Sequence, residues 1–417
     1  MEAAETRALS VLPSIGKIPA RMLAQVVRQD RFGDPRSAFE VEEIDTPKPG
    51  PGEVLIAVMA AGVNFNNVWA ARGTPVDVIA QRQRAGKPED FHVGGSDASG
   101  IVWAVGDSVT GIEPGDEVIV HPGYWDAEDP WVVAGNDPMI APSARIWGYD
   151  AELNYGSFAQ FSLAQAHQVL PKADHLSWEE AAAPTLVGTT AYRMLHGWKG
   201  NEVKAGDVVL VWGGSGGLGS QAIQLVKEAG ARAVAVVSSA ERGEYCVKLG
   251  ALGYINRRDF KHWGVPPHWE DNAGQKAWVG EARRFGKAIW DIVGERRNPA
   301  IVFDHPGEET VPTSMFVCQE GGMVVICAGT SGYSAMVDVR YLWVRQKRFQ
   351  GSHGVNDEQA RAYNDLVRQG AIDPCLGRVV PFDELGQVHW EMGEGKAPPG
   401  NTVVLVGAPR PGLGRTG

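Results

Sequence analysis

The chain has no apolar run near the roughly 20 residues that a helix needs to cross a bilayer. Its first residues, MEAAETRALSVLPSIGKIPARML, lack the basic start and the apolar stretch of a secretory leader. The expected location is the cytoplasm. Cysteine is scarce: Cys246, Cys318, Cys327 and Cys375 are the only four. No two of them are spaced like the about two to four residues of a zinc knuckle, so they read as free thiols in a reducing compartment and no metal is expected. Basic excess is also missing. A net charge of −11 argues against a nucleic-acid partner and against docking on an anionic membrane. There is no internal repeat and no low-complexity tract. What remains, 417 residues at 44% hydrophobic and 21% charged, is a globular chain of about two or three domains with a large core.

Glycine, by contrast, is abundant, and one cluster is informative. Residues 207–242 read DVVLVWGGSGGLGSQAIQLVKEAGARAVAVVSSAER. An apolar run, a glycine turn, a helix-period segment and a second apolar run make the first unit of a doubly wound, parallel dinucleotide-binding sheet of the Rossmann kind. Gly214, Gly216 and Gly219 fit G-x-G-x-x-G, with Ser215, Gly217 and Leu218 between them. The turn brings backbone close to a pyrophosphate, and the helix N-terminus offers it free N–H groups. The second run ends in Ser238, Ser239 and Arg242 where an NAD site usually carries Asp or Glu. Two hydroxyls and a guanidinium suit a 2′-phosphate, so NADP(H) is the expected cofactor.

Before this, residues 47–64 and 94–121 alternate short apolar strands with Gly, Pro and Asp, the rhythm of an antiparallel, barrel-like β domain. From 176 the pattern turns helical, with Ser177 as a hydroxyl cap ahead of Glu179 and Glu180. After about 372 it returns to β-like runs, GRVVPF and NTVVLVGAP. The boundaries read as 1–174 with 373–417 for a discontinuous catalytic β domain, and 175–372 for the nucleotide domain. Two segments look inserted: 76–92, polar and helical, and about 258–298, with Trp263, Trp269, Trp278 and Trp290. The second reads equally as an oligomer contact, a wall of the substrate site or a subdomain with its own small core.

This organisation resembles the medium-chain dehydrogenase/reductase superfamily. Its zinc members use a catalytic Cys/His site and a four-cysteine lobe; the chain has neither and resembles the zinc-free reductases. GVNFNNVWAARGTPVD (62–77), EDFHVGGSDASGIVWAVG (89–106), RIWGYD (145–150), GSFAQF (156–161), WGGSGGLGS (212–220), HPGEETVPTS (305–314) and RYLWVRQKRFQGSH (340–353) resemble the crotonyl-CoA (enoyl-CoA) carboxylase/reductase family over nearly the whole chain. The resemblance implies a GroES-like β domain beside the Rossmann sheet, and homotetramers. It also implies NADPH-dependent reduction of an α,β-unsaturated acyl-CoA, with carbon dioxide captured at the α-carbon to give an alkylmalonyl-CoA. The alternative is a non-carboxylating enoyl-thioester reductase.

Residue by residue, the resemblance places catalytic roles on Asn66, Tyr149, Asp150 and His353. Read alone, Asn66 is as well a turn residue, His353 a satisfied core histidine, Asp150 a surface acid and Tyr149 core. Arg340, Tyr341, Lys347 and Arg348 are candidates for the coenzyme A moiety, Lys347 and Arg348 reading equally as a solvated charge run. The chain departs from the family where Tyr149–Asp150 replaces Phe–Glu and where AELNYG adds about two residues, with Glu152 able to restore the lost reach. It departs again where Gly354-Val355 replaces Phe-Ala. Loss of that aromatic is expected to widen or wet the pocket and to favour protonation over carboxylation.

Overall fold

The structure, a computed structural model, describes residues 12–150 and 154–415. Glu152 therefore lies outside the described residues. The chain divides into two compact units. One takes the residues up to Thr189, Gly354–Gly370 and those from Pro374 onward; the other takes Thr190–His353 and Ala371–Asp373.

The first unit is built on Glu53–Val63, an 11-residue strand that is buried along almost its whole length. It pairs antiparallel with Ala98–Val105, Phe161–Gln165 and Asn401–Leu405. A strand with neighbours on both sides and cover on both faces reads as a continuous apolar run rather than an alternating one, hence EVLIAVMAAGV. Glu117–Val120 and Val169–Pro171 extend one side of this sheet and Leu376–Val380 the other, the last pairing parallel with Asn401–Leu405. A second, three-stranded sheet runs Glu40–Asp45, Arg21–Arg28, Phe91–Val93.

The second unit is a six-stranded, all-parallel sheet in the order Gly253–Asn256, Arg232–Val237, Val208–Trp212, Ile301–Asp304, Met323–Ile326, Arg348–Gly351. Strand order reverses between Val208–Trp212 and Ile301–Asp304. Ligands of doubly wound sheets bind at the carboxyl ends of the strands at such a switch point.

The unit boundaries differ from 174/175 and 372/373. The helix Trp178–Ala182, held by a reciprocal Ser177–Glu180 capping box, packs on Glu53–Val63 and Ala98–Val105. Residues 354–370 also group with the β unit. Their helix Asp357–Arg368 buries Tyr363, whose ring sits so close to Gly188 that a β-carbon there would lie 2.0 Å from Tyr363 Cζ.

The insertions are also resolved. Segment 76–92 contains the helix Val78–Arg84, capped by Asp77. In 258–298 the helix Asn272–Val293 follows, and its buried Phe285 stacks on Trp212 at 5.6 Å and 8°. Phe260, Phe285 and Ile289 join one apolar cluster with Val208, Val234 and Val302 of the sheet. The segment therefore has no separate core of its own; it thickens that of the nucleotide sheet.

Candidate active site

In the nucleotide unit, Val208–Trp212 ends in a turn whose left-handed residue is Gly213, at φ +60°. The helix Gly217–Glu228 starts immediately after, with Gly216 as its N-cap. Each motif glycine has a distinct reason. A β-carbon at Gly219 would lie 2.4 Å from the Gly213 carbonyl oxygen, and one at Gly214 would lie 2.9 Å from Ala235 Cβ. Gly216 faces open space, with only Gly213 O at 3.5 Å. Gly214 and Gly219 thus serve close packing, and Gly216 leaves the approach to the helix N-terminus clear. Gly217 and Leu218 form the first turn of that helix, which aims its free N–H groups at this opening.

At the end of Arg232–Val237, the Ser239 hydroxyl accepts from the Arg242 backbone N–H at 3.4 Å and caps the helix Ala240–Leu249. Arg242 turns back, its Nη1 donating to Ser215 Oγ at 3.2 Å. The guanidinium therefore borders the glycine turn at Ser215, and the half-buried Ser238 follows the neighbouring strand Arg232–Val237.

In the β unit, Asn66 lies in the first turn of the helix Phe65–Arg72 and is half-buried. Its Nδ2 donates to Ser96 Oγ at 2.8 Å, and its Oδ1 accepts from Asn67 Nδ2 at 3.1 Å. The turn that carries Ser96 is clamped by glycines. A β-carbon at Gly148 would lie 1.9 Å from Gly95 O, and one at Gly156 would lie 2.3 Å from Gly94 O. Ser157 and Phe158 donate their N–H groups to Gly95 O and Gly94 O. The motifs HVGGSD, RIWGYD and GSFAQF thus form one interlocked cluster, and this brings Tyr149–Asp150 close to the Asn66 turn. The Tyr149 ring packs against both the Ala70–Val78–Ile79 cluster and the Trp125–Met139–Ile146 cluster. Asp150 folds back, its Oδ1 accepting from the Ile146 N–H at 2.7 Å.

Beneath the same turn, the buried Asp97 accepts from Asn64 Nδ2 at 2.7 Å and from the Leu186 N–H. Burial pushes its carboxyl well above the usual range.

His353 follows the edge strand Arg348–Gly351 and is exposed. Gly354, expected to open space, does not: it is buried at φ +62°, and a β-carbon there would lie 2.4 Å from Met139 Cε. Met139 and Ile146 fill the volume, so the departure from an aromatic leaves no gap at this residue.

The coenzyme A candidates separate. Lys347 is buried, and its Nζ donates to Met315 O at 2.5 Å and Phe316 O at 3.4 Å, the last carbonyls of the helix Val311–Val317. Burial pushes its pKa down to about 8. Its assignment to phosphate binding is corrected: the ammonium caps a helix C-terminus and does not face a ligand. Arg348 donates to Lys199 O at 3.2 Å and lies over the Trp198 ring, which commits much of its fork to structure. Arg340 is exposed and paired with Asp338, and Tyr341 packs edge-on to Phe316 at 5.1 Å.

Similarity to known proteins follows the same lines. The alcohol dehydrogenase GroES-like domain model matches residues 50–174 and the zinc-binding dehydrogenase model matches 217–369. A crotonyl-CoA carboxylase/reductase of Cereibacter sphaeroides is 49% identical over 402 residues, covering 96% of this chain and 91% of that protein. The chain belongs to the crotonyl-CoA carboxylase/reductase family. Among solved structures, crotonyl-CoA carboxylase/reductase AntE in complex with NADP superposes with a TM-score of 0.92 at 51% identity, covering 96% of this chain and 98% of that one. The 2-octenoyl-CoA carboxylase reductase CinF, in complex with NADP and 2-octenoyl-CoA, gives 0.87 at 38%, covering 96% and 91%.

The zinc named in one of those models does not suit the residues of this family member. Asn64, Asn66, Ser96 and Asp97 offer one carboxylate and neither thiolate nor imidazole. Burial pushes the Cys318 and Cys327 thiols up to about 12. One cluster of metal-ligand type occurs among the described residues: His121, His167 and Asp357. There the Gly123 N–H points at His121 Nδ1 (3.3 Å), so His121 carries its proton on Nε2, towards Asp357 Oδ1 at 3.2 Å. A metal at Nε2 would have to move that proton to Nδ1, which faces the Gly123 N–H.

The sequence reading missed Asn67, Gly95 and Ser96. Their signal was present in GVNFNN and HVGGSD, both quoted for the resemblance, but their hydrogen bonds span about thirty residues of chain.

Proposed function

We propose that the chain is an NADPH-dependent reductive carboxylase of α,β-unsaturated acyl-CoA thioesters. NADPH gives a hydride to the β-carbon of a crotonyl-CoA-type substrate. The electron pair of the double bond moves to the α-carbon and thioester oxygen as an enolate. The α-carbon then attacks carbon dioxide, forming one carbon–carbon bond and a carboxylate. The products are NADP and an ethylmalonyl-CoA-type thioester. Without carbon dioxide the α-carbon takes a proton and gives the saturated acyl-CoA.

The observation that carries this reading is Asn66: a family motif residue whose carboxamide is anchored on both sides and keeps one Nδ2–H over. Carbon dioxide is apolar and nearly charge-free. A donor already fixed in place holds it without reorganisation and stabilises the carboxylate as it develops. Tyr149, Asp150 and His353 complete the site in this reading, and Ser215, Ser238, Ser239 and Arg242 with the glycine turn take NADPH. Arg340 and Tyr341 take part in holding the acyl-CoA, and the enzyme works as a cytoplasmic homotetramer. Asn66, Tyr149 and Asp150 belong to the β unit, and His353 with the cofactor residues to the nucleotide unit.

The test is product analysis. The purified protein is given crotonyl-CoA, NADPH, labelled bicarbonate and carbonic anhydrase. Label is expected in ethylmalonyl-CoA, one per NADPH oxidised. Butyryl-CoA as sole product would establish the simple reductase instead.

A further inference from the structure

We infer that Asn67 and Ser96 are positioning residues that decide which end of the Asn66 carboxamide is presented for reaction, and thereby the ratio of carboxylation to protonation. The inference rests on the reductive carboxylation proposed above.

A carboxamide has a donor end and an acceptor end of nearly the same shape. Carbon dioxide and the carboxylate formed from it present only acceptor oxygens. The nitrogen end of Asn66 stabilises them and the oxygen end repels them. Something must choose between the two orientations.

The choice begins at a backbone group that cannot change role. The Gly95 N–H only donates, and it points at Asn67 Oδ1 at 3.3 Å. Asn67 is fully buried and has no room to shift: a β-carbon at Gly94 would lie 1.9 Å from its Oδ1. Its Nδ2 must then face Asn66, where it donates to Oδ1 at 3.1 Å. The Asn66 nitrogen is left to donate to Ser96 Oγ at 2.8 Å, with its second hydrogen uncommitted. Ser96 can donate or accept, so it follows the direction that Asn67 imposes and steadies it. The starting point is rigid, because Gly94 and Gly95 are held by Ser157, Phe158 and the close approach of Gly148. Asn67 and Ser96 are both 0% exposed. They act through Asn66 and do not touch substrate.

Asn67→Asp keeps the shape and, assayed at alkaline pH so that the buried carboxyl is ionised, reverses the relay. A carboxylate still accepts from Gly95 but now presents an acceptor to Asn66, whose nitrogen must turn towards it while its oxygen accepts from Ser96. The ratio of ethylmalonyl-CoA to butyryl-CoA, measured with labelled bicarbonate and carbonic anhydrase, is expected to fall about tenfold or more. Ser96→Ala removes the steadying acceptor without reversing the relay, and a fall of about threefold is expected. A merely structural role lowers both products together and leaves the ratio unchanged. A wild-type ratio in folded variants therefore overturns the inference. If Asn67→Asp fails to fold, the ratio in Ser96→Ala decides alone. A wild-type enzyme that yields no ethylmalonyl-CoA fails earlier and overturns the carboxylation reading itself.

Discussion

Arg242 Nη1 donates to Ser215 Oγ across 3.2 Å, joining the end of one strand of the nucleotide sheet to the glycine turn of its neighbour. Ser215 belongs to the glycine turn proposed to face the pyrophosphate, and Arg242 lies in the first turn of the helix that follows Arg232–Val237. A charged donor tied to that turn favours a cofactor with an extra phosphate on the ribose. Arg242→Ala removes a charge-assisted contact worth about 1.5–3 kcal/mol. The expected result is a roughly tenfold to hundredfold rise in KM for NADPH with little change for NADH, read from kcat/KM for each cofactor. Equal losses on both cofactors refute the assignment.

Gly219 tests the packing of the same turn. Both nearest atoms to its absent β-carbon are backbone, Gly213 O at 2.4 Å and Gly214 Cα at 2.7 Å. Neither can swing aside as a side chain would. Gly219→Ala must push the helix Gly217–Glu228 off the strand, at about 1–3 kcal/mol of overpacking. Weaker NADPH binding in a fluorescence titration and a lower Tm are expected together. A Gly216→Ala control, whose β-carbon meets nothing closer than 3.5 Å, should leave Tm nearly alone. If Gly219→Ala binds NADPH as tightly as the wild type, the close packing at that glycine is not needed for cofactor binding.

What the sequence made legible, and what it hid, divides by range. The strand-turn-helix-strand at 208–242 is local, and glycine spacing with apolar period is enough to see it. The strand end Ser238–Arg242 is local for the same reason, and the structure adds that Ser239 caps a helix. Lys347 was not legible. In sequence it stands in a run of cations, and its burial depends on the carbonyls of Met315 and Phe316, some thirty residues earlier. Gly354 misled in a similar way: a missing aromatic reads as space, but Met139 and Ile146 come from a distant segment to fill it. Asn66 is singled out by its motif alone. The relay inferred to orient it was not legible, because Gly95 meets Asn67 and Ser96 meets Asn66 only once the strands are folded.

The corrected role of Lys347 has its own consequence. With its ammonium on two helix-terminal carbonyls and its pKa pushed down to about 8, Lys347→Met should leave KM for acyl-CoA at the wild-type value. Stability should change instead, since two carbonyls lose a donor, at about 1–3 kcal/mol. Urea unfolding and steady-state kinetics on the same preparation separate the two roles. A raised KM with unchanged unfolding would return Lys347 to the ligand.

Acid sensitivity follows from buried imidazoles. His389 stacks on Phe39 at 4.8 Å, its Nδ1 donates to Leu385 O at 2.9 Å, and burial pushes its pKa down to about 4 from 6.5. Between those two values the unfolded chain binds the proton and the folded chain does not. Stability from this residue is therefore complete above about pH 6.5 and is lost as pH falls towards 4. At about pH 5 the loss is roughly 2 kcal/mol, about 1.5 pH units below the unfolded value at 1.36 kcal/mol per unit. His262 and His305, each pushed down to about 4, act with the same sign. Asp304 acts against them. Burial raises its carboxyl to about 6, so it loses stability as pH climbs from about 3.8 to 6. His389→Phe keeps the stacked ring and removes the titration. Its unfolding free energy in urea, compared at about pH 7.5 and about pH 5, should drop by roughly 2 kcal/mol less than that of the wild type. An identical drop in both proteins means that His389 is already protonated in the folded chain, which its apolar surroundings of Phe39 and Phe158 make costly.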